Sequence, residues 1–155
     1  SIEKISLGDL VLRHFITDFP TPELIKRANE KKDVILLPHI GASTAQAEEN
    51  CAVMAVNQMT DFLENGNIKN SVNFPTVQLK RTTEHRISII NKNVPAMIGQ
   101  IATALGELNL NIAEMTNVSR GDIAYNLIDI ENGVDEKSIS SLKGIENVIN
   151  VRLIL

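Results

Sequence analysis

From Arg86 to the end of the chain, the spacing of apolar residues switches back and forth between two periods. That rhythm constrains the fold more than any other feature. Arg86-Ile87-Ser88-Ile89-Ile90-Asn91 alternates as a strand does. Pro95 then opens a helix whose apolar stripe is Ile98, Ile101, Ala102, Leu105 and Leu108. Asn111–Val118 and Ile123–Ile130 read as two strands joined by Ser119-Arg120-Gly121-Asp122, a hairpin turn signal. Asp135 caps a second helix carrying Ile139 and Leu142, and Val148 to Leu155 is the last strand. The order is βαββαβ: an α+β, ferredoxin-like unit with a four-stranded antiparallel sheet and two helices on one face.

The residues before it follow another plan. Ile2 to Arg13 is a mixed segment read as helical. Phe15 to Phe19 resembles a short strand stopped by Pro20, and Thr21 and Pro22 open a helix through about Asn29. Val34-Ile35-Leu36-Leu37 is a continuous apolar run ended by Pro38, the pattern of a strand buried on both faces. Strand, helix, strand makes one repeat of a parallel α/β sheet, a partial α/β segment rather than a domain. A long helix over 44–65 comes next, capped by Ser43 or Thr44, with Gln46 three after Ser43 as in a capping box. Ala52, Ala55, Val56, Met59, Phe62 and Leu63 recur along it, and Gly66 ends it. Cys51, Val53 and Met54 broaden the apolar face, which predicts cover on more than one side. The expected division is a truncated region over 1–70, a linker over 71–84 and the βαββαβ unit over 85–155.

Composition removes several function classes. With 43% hydrophobic and 22% charged residues, the chain is that of a globular protein. A net charge of −4 argues against binding a phosphate backbone. RNA-recognition domains share the βαββαβ order, but they need aromatic residues on the two central strands. Ile87 to Ile90 and Ile123 to Ile130 offer Tyr125 alone. No apolar run reaches the ~20 residues of a membrane span, and no secretory signal opens the chain. The single cysteine, Cys51, is read as a small core residue and fits a reducing cytoplasm.

Leu36-Leu37-Pro38-His39-Ile40-Gly41-Ala42-Ser43-Thr44 is the stretch richest in chemistry. It sets a histidine between the carboxyl end of a strand and a capped helix start, where α/β sheets collect ligands and catalytic groups. His39 has the one side chain there suited to proton transfer near neutrality. Gly41 permits close backbone approach. His14 and His85 have no Cys, His or acidic neighbour at metal-ligand spacing, so no metal site is expected.

Leu37 to Thr44, then Ala47-Glu48-Glu49-Asn50, then Asn70-Ser71-Val72-Asn73-Phe74-Pro75, resemble in order and spacing the carboxyl part of the D-3-phosphoglycerate dehydrogenases. These belong to the NAD-dependent D-2-hydroxyacid dehydrogenases. The resemblance implies that His39 is the acid/base histidine and that His39, Gly41 and Ala42 lie beside the nicotinamide of NAD. It implies a carboxylate that orients His39. Pro22 stands at the matching position, with Glu23 one residue later, so Glu23 is the candidate. The substrate would be 3-phosphoglycerate, bound through an arginine that precedes this chain. A Gly-x-Gly-x-x-Gly loop is also missing from the sequence, so the chain alone is expected to be catalytically inactive.

Ile90-Asn91-Lys92-Asn93-Val94-Pro95 and Leu110-Asn111-Ile112 resemble the effector-binding segments of the ACT domains that end many of these enzymes. The resemblance implies that Asn91, Asn93 and Asn111 bind an amino acid such as serine across a homodimer interface. Asn91 replaces the histidine of the serine-inhibited members, and Ala96 replaces their usual glycine. The competing expectation is a free-standing effector-binding or dimerising module with no dehydrogenase role.

Overall fold

The computed structural model describes residues 15–31 and 33–155, so the helix expected at Ile2–Arg13 and His14 lie outside them. The chain forms two compact units that divide between Cys51 and Ala52.

In the first unit, strand β1 (Phe15–Thr17), helix α1 (Pro22–Glu30) and strand β2 (Val34–Leu36) make one parallel strand–helix–strand repeat. Phe15, Ile16 and Thr17 lie opposite Val34, Ile35 and Leu36. Helix α1 begins as expected: Thr21 Oγ1 accepts a hydrogen bond from the Leu24 N–H at 3.3 Å, and Pro22 in the first turn has no N–H to leave unpaired. The Arg27 guanidinium donates to the Asp33 carboxylate through three bonds of 2.6, 3.2 and 3.3 Å, which ties the end of α1 to the start of β2. The expectation that β2 is buried on both faces fails. Val34 is buried, but Ile35 is 42% exposed, because two strands and one helix provide no second covering layer among the described residues.

Helix α2 (Ala45–Asn65) is capped by Thr44, whose Oγ1 accepts from the Ala47 N–H at 3.2 Å, so the expected Ser43–Gln46 box is not used. It ends at Gly66, whose φ of 72° lies in the left-handed region. No residue of α2 is buried, against the expectation of cover on several sides, and Cys51 is exposed rather than in a core. Its apolar residues spread too far around the helix for one contact face to hide them.

The second unit contains β3 (His85–Lys92), α3 (Met97–Glu107), β4 (Ile112–Arg120), β5 (Ile123–Ile130), α4 (Glu136–Lys143) and β6 (Val148–Ile154). The sheet order is β4-β5-β3-β6 with every neighbouring pair antiparallel, the ferredoxin-like arrangement that the apolar rhythm predicts. Arg120 and Ile123 pair directly, and Gly121 supplies the φ of 59° that the tight turn between them requires. Asp135 caps α4 by accepting from the Ser138 N–H at 2.7 Å. Helix α3 starts two residues after Pro95, and its buried stripe is Met97, Ile101 and Leu105, one helical row, while Ile98 is half exposed.

Both faces of this sheet are covered. Toward the helices, Ile87, Ile89, Ile101, Leu105, Ile128, Ile130, Leu142 and Val151 form the main core. On the opposite face, Tyr125 and Leu127 pack with Ile68, Val77 and Leu79. Residues 71–84, read from the sequence as a linker, thus carry Val77 and Leu79 into a core, and Ile68 and Val77 pair as an isolated bridge. Double-sided cover explains why every residue from Ala124 to Ile130 is buried.

Covering that face encloses charge. Arg86 and Asp129 are both 0% exposed, with Nε–Oδ1 at 2.5 Å and Nη2–Oδ2 at 3.0 Å. Arg86 Nη1 also donates to the carbonyls of Asn65 and Leu79 at 2.9 and 2.8 Å, and Asp129 accepts from the Thr82 N–H and hydroxyl. Burial pushes the Asp129 carboxyl up. The hydrogen bonds from Arg86 and Thr82 outweigh it and hold the pKa below the ordinary carboxylate value.

Candidate functional site

Parallel pairing of β1 and β2 brings the segments beyond their carboxyl ends side by side. Asp18 leaves the end of β1, and Pro38-His39 leaves that of β2, held in step by a bond from the Leu37 N–H to the Thr17 carbonyl at 2.9 Å. The result is a contact of 3.2 Å between His39 Nδ1 and Asp18 Oδ2. The carboxylate can only accept, so this contact favours a proton on Nδ1 and leaves Nε2 facing away from Asp18. The Phe19 ring meets the imidazole edge-on, with centroids 4.4 Å apart. His39 and Asp18 are about half exposed, so the pair orients the ring without adding much stability.

Glu23, the carboxylate expected from the sequence, sits elsewhere. It occupies the first turn of α1, exposed, and hydrogen bonds from its own backbone N–H and from Thr21 hold its pKa below the ordinary carboxylate value. The ion pairs of the described residues join His39 to Asp18 and not to Glu23. Asp18 was legible in principle, since it directly follows a strand that a strand–helix–strand repeat places beside the His39 strand. Gly41 lies in the loop turned by bonds from the Ile40 and Ser43 N–H groups to the Pro38 and Ile40 carbonyls. A methyl group built on Gly41 would meet no atom within 4 Å, so the loop with Gly41 and Ala42 faces open space.

In the second unit, a hollow of about 150 Å³ opens where β3 passes into α3. Asn91, Asn93, Val94, Ala96, Ala124 and Asn117 are among its walls. Of the three asparagines expected to bind an effector, Asn91 and Asn93 are brought together here. Asn111 is not: it precedes the start of β4, where its backbone N–H donates to Asn132 and its side chain to Glu131. Asn91 is 1% exposed and already engaged, with Nδ2 donating to the Lys92 carbonyl at 2.7 Å and Oδ1 accepting from Asn126 at 2.7 Å. Ala96, where the resembling proteins have glycine, adopts φ 67° and ψ 2°. Asn117 was missed from the sequence because it lies in the middle of a strand, away from any turn motif.

Tyr125, the lone aromatic residue of the two central strands, is 1% exposed and donates to the Gly66 carbonyl at 2.8 Å, so it offers no stacking face. No helix among the described residues is long and apolar enough to cross a membrane.

No protein-family model matches the chain. It is 33% identical over 133 residues to a D-3-phosphoglycerate dehydrogenase of Haemophilus influenzae, which covers 85% of this chain and 32% of that protein. Identity to the D-3-phosphoglycerate dehydrogenase of Escherichia coli is 32% over 127 residues, covering 81% and 31%, and to D-3-phosphoglycerate dehydrogenase 1 of Saccharomyces cerevisiae 33% over 127 residues, covering 79% and 26%. Among solved structures, the ACT domain from GTP pyrophosphokinase of Chlorobium tepidum is matched at 19% identity and a TM-score of 0.39, over 45% of this chain and 95% of that one. The regulatory subunit of aspartate kinase from Thermus thermophilus is matched at 12% identity and a TM-score of 0.42, over 53% and 56%. At those scores the fold rests on this chain's own strand order. The chain spans about a third of the length of the curated relatives it matches, and over most of its own length it is a relative of the D-3-phosphoglycerate dehydrogenases.

Proposed function

We propose that the chain is the carboxyl-terminal part of an NAD-dependent D-3-phosphoglycerate dehydrogenase that serves serine synthesis in the cytoplasm. Residues 1–70 would close its catalytic region, and residues 85–155 would form an ACT-like regulatory unit. The observation that supports this most is the His39–Asp18 contact beyond two parallel strands, in a chain about one third identical to such enzymes. In this reading His39 exchanges a proton with the 3-phosphoglycerate hydroxyl through Nε2, while Asp18, rather than Glu23, fixes the tautomer and orientation of the ring. In the longer enzyme, NAD would supply the hydride acceptor for the carbon bearing that hydroxyl. His39, Gly41 and Ala42 supply one open edge for the nicotinamide. Without a glycine-rich phosphate loop the residues present do not amount to an NAD site, and the chain alone is inactive.

The regulatory half of the proposal is a homodimer that clasps a small amino acid such as serine. Asn93 lines the hollow near the hairpin end of β4, and Asn111 lies at the other end of that strand. Both reach one ligand only if a second copy supplies Asn111. Strand β4 is an outer strand of the sheet, with unpaired backbone groups suited to such pairing. One observation favours a dimerisation element without an effector: the amide of Asn91 is already engaged within the sheet. Calorimetric titration of the chain with L-serine, and separately with NAD, tests the proposal. Serine should bind, and binding should vanish in Asn111→Ala, with no heat from NAD. Absence of serine binding removes the effector role, and NAD binding contradicts the incomplete cofactor site.

A further inference from the structure

Three asparagine side chains form a hydrogen-bonded row across the helix-facing side of the sheet. Asn126, in central strand β5, is 0% exposed, opposite Ile89 and two residues from Ile128 on the same face. A buried amide is unfavourable unless its groups are satisfied, and this one is. Its Nδ2 donates to the Ile89 carbonyl at 3.1 Å and to Asn91 Oδ1 at 2.7 Å, and its Oδ1 accepts from Asn117 Nδ2 at 2.5 Å. Exchanging its oxygen and nitrogen would set oxygen against two acceptors and nitrogen against a donor, so the orientation is determined. The row dictates what each end presents to the hollow. Asn117 uses its N–H on Asn126 and keeps Oδ1 without a partner among the described residues. Asn93 donates to the Gly121 carbonyl at 3.0 Å and likewise keeps Oδ1. Asn91 has its oxygen and one N–H occupied.

We infer that Asn117 is a ligand-contacting amide of this hollow and that Asn126 is a positioning residue that aims it, in place of the Asn91 contact that motif matching suggests. The inference deepens the effector reading and rests on it. Two amide oxygens, from Asn93 and Asn117, suit an ammonium group. The hollow also opens on the first turn of α3, whose cap residue Ala96 offers no side-chain acceptor, so the leading N–H groups stay available to a carboxylate. No charged side chain is among the lining residues, which selects a ligand of no net charge. A space of about 150 Å³ is on the scale of a cavity that takes benzene. The class that fits is a zwitterionic α-amino acid with a short uncharged side chain.

The test is calorimetric titration of the full chain with L-serine, L-alanine and glycine. For the tightest of these, Asn117→Leu should weaken binding at least about tenfold, the usual effect of losing a hydrogen bond to a charged group. Asn126→Val should weaken it comparably and move the Asn117 side-chain NH₂ resonances in ¹⁵N spectra. Ile128→Val, on the same strand without an amide contact, should lower the thermal midpoint and leave affinity unchanged. If Asn117→Leu binds as the unaltered chain does while Asn93→Ala does not, this inference falls and the effector reading stands. If the unaltered chain binds none of the three amino acids, both fall.

Discussion

Replacing Arg86 by methionine keeps an unbranched stem about as far as Nε and removes the charged head, leaving Asp129 buried with Thr82 as its remaining partner. Four hydrogen bonds go with the guanidinium, two to Asp129 and two to the carbonyls of Asn65 and Leu79. Removing one member of a fully buried ion pair costs about 3–5 kcal/mol. Each orphaned carbonyl adds to that, though not additively. A loss of about 4 kcal/mol is a large share of the 5–15 kcal/mol that holds a domain together. It should register as a fall of roughly 20 °C in thermal midpoint for a unit of this size. The chain has no tryptophan, so far-ultraviolet circular dichroism during urea unfolding is the suitable readout. Arg86→Met with Asp129→Leu should recover about 2 kcal/mol relative to the single change, because no uncompensated charge remains. The pair also sets the acid limit. A carboxyl whose folded pKa is depressed contributes stability above its unfolded pKa and loses it as pH falls through the folded one. Stability should therefore be nearly flat from about pH 5 upward as far as this group is concerned. It should drop below about pH 4, and less steeply in the double variant. A single-variant loss under about 1 kcal/mol at unchanged m-value would refute the claim that the pair is desolvated.

Gly66→Ala should destabilise the second unit by about 2 kcal/mol or more, combining a left-handed backbone with a new methyl 2.7 Å from Leu127 Cδ2; urea unfolding measures it. Ala96→Gly should stabilise by up to about 1 kcal/mol, since Ala96 holds φ 67° on the surface; differential scanning calorimetry should show a higher midpoint, and a lower one would contradict the strain. Long-range ¹H–¹⁵N spectra should find His39 protonated at Nδ1 when neutral. Asp18→Asn should shift that tautomer balance while Glu23→Gln leaves it unchanged, and the reverse pattern would make Glu23 the orienting group.

The element order of the second unit, the caps at Thr21 and Asp135 and the stop at Gly66 were all legible in the sequence, as was the resemblance carried by Leu37 to Thr44. Each depends on residues a few positions apart: apolar spacing sets which face turns inward, and a capping side chain reaches a backbone N–H within the next turn. Only the tertiary structure decided the contacts made across strands. The choice of Asp18 over Glu23 for His39 comes from the register of β1 on β2, and the row from Asn117 through Asn126 to Asn91 comes from the pairing of β5 with both its neighbours. Arg86 and Asp129 each look like ordinary polar positions on an alternating strand. They become a buried pair because residues 66–84 fold over the face on which they stand. Local periodicity specifies two faces for every strand but says nothing of what will cover them; that depends on contacts between residues far apart in the chain.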